Sequence, residues 1–175
     1  MLLAAGLLLA GPSCTGADDE PSAPDGSVPQ DGVSLEGDDI GESTLAGLGP
    51  DADPIDLADF RGRPVVVNYF ASSCVPCIQE MPALEADHQA FGDEVAFVGI
   101  AVADRAEDAL DLVERTGVTY ALGTDPTGEL FAASGFTFLP ATVVLDADGN
   151  VVHRLVGELE GTELEDALAD VGVDS

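Results

Sequence analysis

Residues 65–82 read VVVNYFASSCVPCIQEMP, and this stretch decides the fold. Val65, Val66, Val67, Tyr69, Phe70 and Ala71, with Asn68 among them, form a β-prone run without polar–apolar alternation. The strand it predicts should therefore be covered on both faces. Ser72 and Ser73 end the run, Cys74-Val75-Pro76-Cys77 follows, and a helical pattern then continues to Phe91. A cysteine in the first turn of a helix meets unpaired backbone N–H groups and the positive end of the helix dipole. Both favour thiolate over thiol, which makes Cys74 the expected nucleophile. Cys77 lies one helical turn deeper, near enough to Cys74 to close a small ring and better shielded from solvent. In that reading one sulfur attacks a partner's disulfide and the other resolves the mixed intermediate. Pro76 suits the first helical turn, whereas Pro82 falls inside the helix, where it should remove a hydrogen bond and bend the axis. A lone Cys-x-x-Cys is also half of a zinc site, but there is no second Cys pair, and His88 and His153 are isolated.

Together these residues resemble the thioredoxin superfamily, in particular the extracytoplasmic TlpA/ResA-like thiol-disulfide oxidoreductases. The resemblance runs from about Ile55 to the C-terminus. Arg61-Gly62-Arg63-Pro64 is similar to that family's strand entry, and Asn68-Tyr69-Phe70-Ala71 to its Asn-Phe-Trp-Ala. Pro82 sits where relatives kink the active-site helix, and Leu139-Pro140-Ala141-Thr142 resembles the superfamily's cis-proline loop. Two positions depart from the wider pattern. Ser73 stands where a Trp usually precedes the first cysteine, and the chain has no Trp at all. Asn68 stands where cytoplasmic thioredoxins carry a buried Asp, although Asn is usual among the extracytoplasmic relatives.

The resemblance implies an α/β, thioredoxin-like fold with a central mixed sheet flanked by helices. It implies a redox pair at Cys74 and Cys77, with no freely bound cofactor and no metal. Pro140 is expected in cis, presenting Leu139 backbone groups to an extended partner chain and keeping metals off the thiols. Glu80, one turn past Cys77, has two readings: a solvated acid that favours the helix dipole, or a carboxylate that raises the thiol pKa values and shuttles protons, as in relatives. Asn68 is expected to be a hydrogen-bonded strand residue behind the site, and His88 a surface residue. The implied activity is thiol-disulfide exchange on protein cysteines, including reduction in cytochrome c maturation, with electrons from a membrane thiol reductant. Two rivals remain at this point. A thiol peroxidase would carry Thr or Ser three residues before the reactive Cys, where this chain has Ala71. A Sco-like copper-binding assembly factor uses Cys-x-x-x-Cys with a later His, one residue more than the spacing here.

At 175 residues the chain can bury one sizeable core. Five Arg, no Lys and 34 acids give a net charge of −29, a surface that a phosphate backbone would repel, so nucleic-acid binding is excluded. The acids read as a solvated surface suited to a salty setting, where like-charge repulsion is screened, in preference to a site for a cationic partner. The melting temperature should accordingly rise with ionic strength; a flat profile from low to high salt would contradict this reading.

Met1 to Ala10 is apolar, too short to span a bilayer, and ends in Gly11-Pro12-Ser13-Cys14. The segment 1–14 resembles a bacterial lipoprotein signal, with Cys14 as the lipidated residue. Gly11 at position −3 and the lack of a preceding basic residue leave a cleaved secretory signal and an uncleaved anchor as alternatives. All three place the domain outside the cytoplasm, where disulfide chemistry is at home. Residues 15–40, rich in Asp, Gly, Pro and Ser, read as a disordered acidic tether, and 41–175 as the thioredoxin-like domain, expected to be a monomer.

Within the domain, Thr44-Leu45-Ala46 and Ile55-Asp56-Leu57 predict a small hairpin across Gly49-Pro50-Asp51. Val95 to Val102 is a second buried strand, Arg105 to Thr116 an amphipathic helix closed by Gly117, and Glu129 to Ser134 a short helix. Ala141 to Leu145 and Val151 to Val156 form a hairpin across Asp146-Ala147-Asp148-Gly149-Asn150, a sequence whose Gly falls too early for a calcium loop. Thr162 should cap a final helix reaching about Val171.

Overall fold

The computed structural model describes residues 33–34 and 40–173. The expectations for residues 1–14, Cys14 among them, lie outside the described residues, as does most of the segment 15–40.

The β-prone run forms β4 (Val65–Phe70), and all six of its residues are buried. Side chains alternate across a strand, and here the alternation divides two cores. Val66 and Phe70 pack with Met81, Leu84, Leu112 and Leu168 on one face, while Val65, Val67 and Tyr69 pack with Ile100, Leu130 and Val143 on the other. Covering both faces explains why the run shows no polar–apolar pattern.

In chain order the elements are β1 (Val33–Ser34), β2 (Thr44–Gly47), β3 (Ile55–Asp56), β4, α1 (Val75–Phe91), β5 (Ala96–Val102) and α2 (Ala106–Thr116). Then come β6 (Ala121–Asp125), α3 (Glu129–Ala133), β7 (Ala141–Leu145), β8 (Val151–Val156) and α4 (Glu163–Asp170). The strands join in the order β1-β2-β6-β5-β4-β7-β8, with β3 on β2. β4, β5 and β6 run parallel, linked through α1 and α2, whereas β7 is antiparallel to β4 and β8 to β7. This is the mixed, helix-flanked sheet that the resemblance implies.

The expected hairpin of β2 and β3 forms, with Thr44 opposite Asp56 and Leu45 opposite Ile55. It also extends the main sheet, because Ala46 and Gly47 pair with Thr124 and Gly123 of β6. Leu57, expected to continue β3, instead begins a 3₁₀ turn to Phe60, where the Asp56 carboxylate accepts the Ala58 N–H at 3.0 Å. Val33 and Ser34, in the segment read as tether, pair with Leu45 and Thr44.

Gly117 closes α2 in the left-handed conformation, φ 75°, which favours glycine at this position. Thr162 precedes α4, but its side chain makes no capping bond to the backbone; its hydroxyl donates to Asp166 Oδ2 at 3.0 Å. The Asp146 loop is a turn, its carboxylate accepting the backbone N–H groups of Asp148 and Asn150, both at 2.9 Å. His88 departs from its expected place on the surface. It is half-buried, with its ring against Phe97 and Tyr120 at centroid distances of 5.5 and 5.7 Å.

Candidate active site

β4 ends at Phe70, and a turn at Ala71–Ser73 delivers Cys74 to the start of α1; the Cys74 N–H donates to Ala71 O at 3.0 Å. Cys74 is the N-cap of α1, with extended backbone at φ −87° and ψ 103°. Its Sγ accepts the Cys77 N–H at 3.2 Å, the place a capping oxygen usually takes. Pro76 lies in that first turn, where its missing N–H costs nothing, and no acid of the helix's first turn opposes charge on the sulfur. Cys74 and Cys77 are joined as a disulfide with their Cα atoms 5.3 Å apart. Cys74 is half-buried and Cys77 is wholly enclosed in the core. One sulfur is therefore open to a partner and the other is screened.

The turn ahead of Cys74 has a second fastening. Asp104, just beyond β5, accepts the Ser72 N–H at 2.5 Å and the Ser72 hydroxyl at 2.9 Å. The residue before it, Ala103, adopts φ +47°, a region that L-residues rarely occupy. Sequence reasoning passed over Asp104, because a loop acid 30 residues from the cysteines carries no motif.

The Leu139–Pro140 peptide is cis. Pro140 is buried, and its carbonyl accepts the Gly157 N–H at 2.9 Å. In the β4–β7 register Tyr69 faces Ala141, so Pro140 comes one step later, level with the C-terminal end of β4 from which the cysteines depart. The large apolar residues that stay exposed include Val75 beside Cys74, Phe138 two residues before Pro140, and Val156, whose partner is Ala141.

Glu80 is 3% exposed, which removes the reading of a solvated helix acid. Its Oε1 accepts the Leu159 N–H at 3.3 Å and its Oε2 the Asn68 Nδ2–H at 3.5 Å. Burial pushes the carboxyl up from 4.5 to about 7, against the opposing pull of those two donors, and the Glu158 carboxylate adds to the rise. Asn68 shares the α1 face of β4 with Val66 and Phe70, so strand alternation aims it at Glu80. Its register partner is Thr142, whose Oγ1 accepts the Asn68 amide at 3.1 Å. Asn68 is thus the hydrogen-bonded strand residue expected. Thr142 was missed, although a polar residue opposite Asn68 on a buried strand was a usable signal.

Tyr120 was missed as well. Its hydroxyl is buried without a hydrogen-bond partner among the described residues, and burial followed by the Glu80 and Glu85 carboxylates pushes its pKa above the usual phenol range. His153 remains apart from the cysteines, with Nε2 3.0 Å from Asp170 Oδ2 on α4.

The family model described as Redoxin matches residues 22–171 of the chain. The thiol:disulfide interchange protein CycY of Rhizobium leguminosarum bv. viciae is 30% identical over 137 residues, covering 72% of this chain and 73% of the relative. The thiol-disulfide oxidoreductase ResA of Bacillus thuringiensis subsp. konkukian is 27% identical over 118 residues, 67% of this chain and 68% of the relative. Among solved structures, a DsbF homologue from Corynebacterium diphtheriae aligns with a TM-score of 0.66 at 30% identity, covering 79% of this chain and 90% of that one. A secreted Mycobacterium tuberculosis disulfide oxidoreductase aligns with a TM-score of 0.65 at 26% identity, covering 75% and 97%. The match over residues 22–171 and the accessible-and-screened cysteine pair agree: the chain belongs to the redoxin family, and within the thioredoxin superfamily it is a TlpA/ResA-like thiol-disulfide oxidoreductase.

Proposed function

We propose that the chain acts outside the cytoplasm as a reductant of disulfides in other proteins, with the haem-binding thiols of apocytochrome c as the client class. The observation that carries this reading is the half-open Cys74 at the N-cap of α1, bonded to a fully buried Cys77. In the dithiol state the Cys74 thiolate attacks one sulfur of the client disulfide; that bond breaks, and the departing client sulfur takes a proton from water. Cys77 then gives its proton to the Glu80 carboxylate and attacks Cys74 Sγ, and the second client sulfur leaves. The client has gained two electrons and the Cys74–Cys77 pair has lost them.

The buried Glu80 supports reduction as the direction. A carboxylate behind the pair disfavours thiolate on its neighbours, and a dithiol whose thiolates are disfavoured gives up electrons more readily. Val75, Phe138 and Val156 offer an apolar surface to the client, with Pro140 shaping its docking. A membrane thiol reductant restores the dithiol, and Cys14 anchors the chain through the acidic segment between it and β1, the domain working as a monomer.

The reduced protein should reduce the disulfides of insulin, with a midpoint potential below that of glutathione, while Cys74→Ser abolishes the reaction. A reduced protein that exchanges electrons with no dithiol or disulfide, yet consumes peroxide, would overturn the proposal.

A further inference from the structure

The base that deprotonates Cys77 must itself be emptied before the next turnover, and Glu80 has few ways out. On the Oε2 side stand Asn68 and, behind it, Thr142 of β7. Toward the cysteines lies Cys77, which is completely buried. The Tyr120 hydroxyl, ahead of β6, faces it from within the core, and the Glu158 carboxylate faces it from the loop before α4.

The remaining direction is open. A cavity of about 70 Å³ lies between α1 and α4, and Glu80, Asp87, Leu159, Gly161 and Glu165 are among the residues lining it. Leu159, whose N–H holds Oε1, is part of this wall. The space is large enough for a bridging water between carboxyl groups. Asp87 lies seven residues beyond Glu80, two turns along the same face of α1, and is half-buried, whereas Glu165 on α4 is exposed.

We propose that the proton taken by Glu80 leaves through this cavity, with Asp87 as its next acceptor and Glu165 at the mouth. The inference rests on the reading of Glu80 as the base for Cys77. The step balances: the Cys77 S–H bond breaks, its electron pair forms the Cys74–Cys77 bond, and the proton passes from Glu80 to Asp87 to solvent. Burial, followed by the Glu165 carboxylate, raises the Asp87 carboxyl above the usual aspartate range, so Asp87 holds a proton more readily than a solvated acid does. Asp87 is a positioning and relay residue; it touches neither sulfur nor client.

The test uses the full chain in the dithiol state, mixed with glutathione disulfide in stopped flow at neutral pH and minimal buffer. Asp87→Asn should slow formation of the Cys74–Cys77 disulfide roughly tenfold, less than the roughly hundredfold or more contributed by a group that acts directly on the reacting proton. Added imidazole, a mobile proton carrier, should restore the rate, and the midpoint potential should not move. A variant as fast as the parent, while Glu80→Gln is slow, overturns the cavity route and leaves the base in place. Slowing that imidazole does not relieve also overturns it, since a packing defect needs no proton carrier. A Glu80→Gln variant as fast as the parent removes the base itself.

Discussion

Cys77→Ser turns the protein into a trap: incubated with its clients, it accumulates mixed disulfides through Cys74 that only added thiol releases. Cys74 attacks from the helix N-cap, where it is half-buried and reachable. Without the second sulfur nothing displaces the captured client, so catalytic turnover falls to background. The mixed disulfide should be visible as a shifted band on non-reducing electrophoresis, and its reduction should return unmodified client. Cys74→Ser gives the opposite result, because the remaining sulfur is wholly enclosed and meets no client. Equal trapping by the two variants would mean that either sulfur can lead, and the division of labour read from burial would be wrong.

Glu80→Gln should make the protein more stable while slowing it. The carboxyl moves from 4.5 to about 7 in the folded chain. Below pH 4.5 both folded and unfolded chains hold the proton, and the group costs nothing. Between 4.5 and 7 the unfolded chain releases its proton while the folded chain keeps it, so stability falls as pH rises. Above about 7 both forms are ionised and the cost is constant, about 3 kcal/mol at roughly 1.36 kcal/mol per pKa unit. The glutamine analogue is neutral throughout, so its advantage in denaturant unfolding should grow from near zero at pH 4.5 to about 3 kcal/mol near pH 8. A difference independent of pH would show that burial of Glu80 does not carry a charge penalty. Retaining so costly a group is what a functional site does when activity and stability compete.

The sequence made the cysteine end of the molecule readable because its signals are local. A both-face-buried strand, a Cys-x-x-Cys and a helix pattern follow one another between Val65 and Phe91, and the parallel β4–β5 pairing follows from their order. The cis state of Pro140 came through resemblance, not through anything its neighbours dictate. Less legible were features that depend on register between distant strands. Thr142 meets Asn68 across 74 residues, and Asp104 meets Ser72 across 32. The edge of the sheet was harder still, since β1 is two residues long and β2 serves both a local hairpin and the distant β6. Glu80 had two readings because helical spacing gives its distance from the cysteines but not the loop at Leu159 that folds over it.

The clamp from Asp104 onto Ser72 bears on what happens when electrons move. The backbone entering the active-site helix is pinned by a group on another strand's end, independently of the sulfur–sulfur bond. Breaking that bond therefore leaves this fastening of the chain's path into α1 in place. The turn that a donor and an acceptor of electrons must both approach is thus held by a contact that neither half of the cycle consumes.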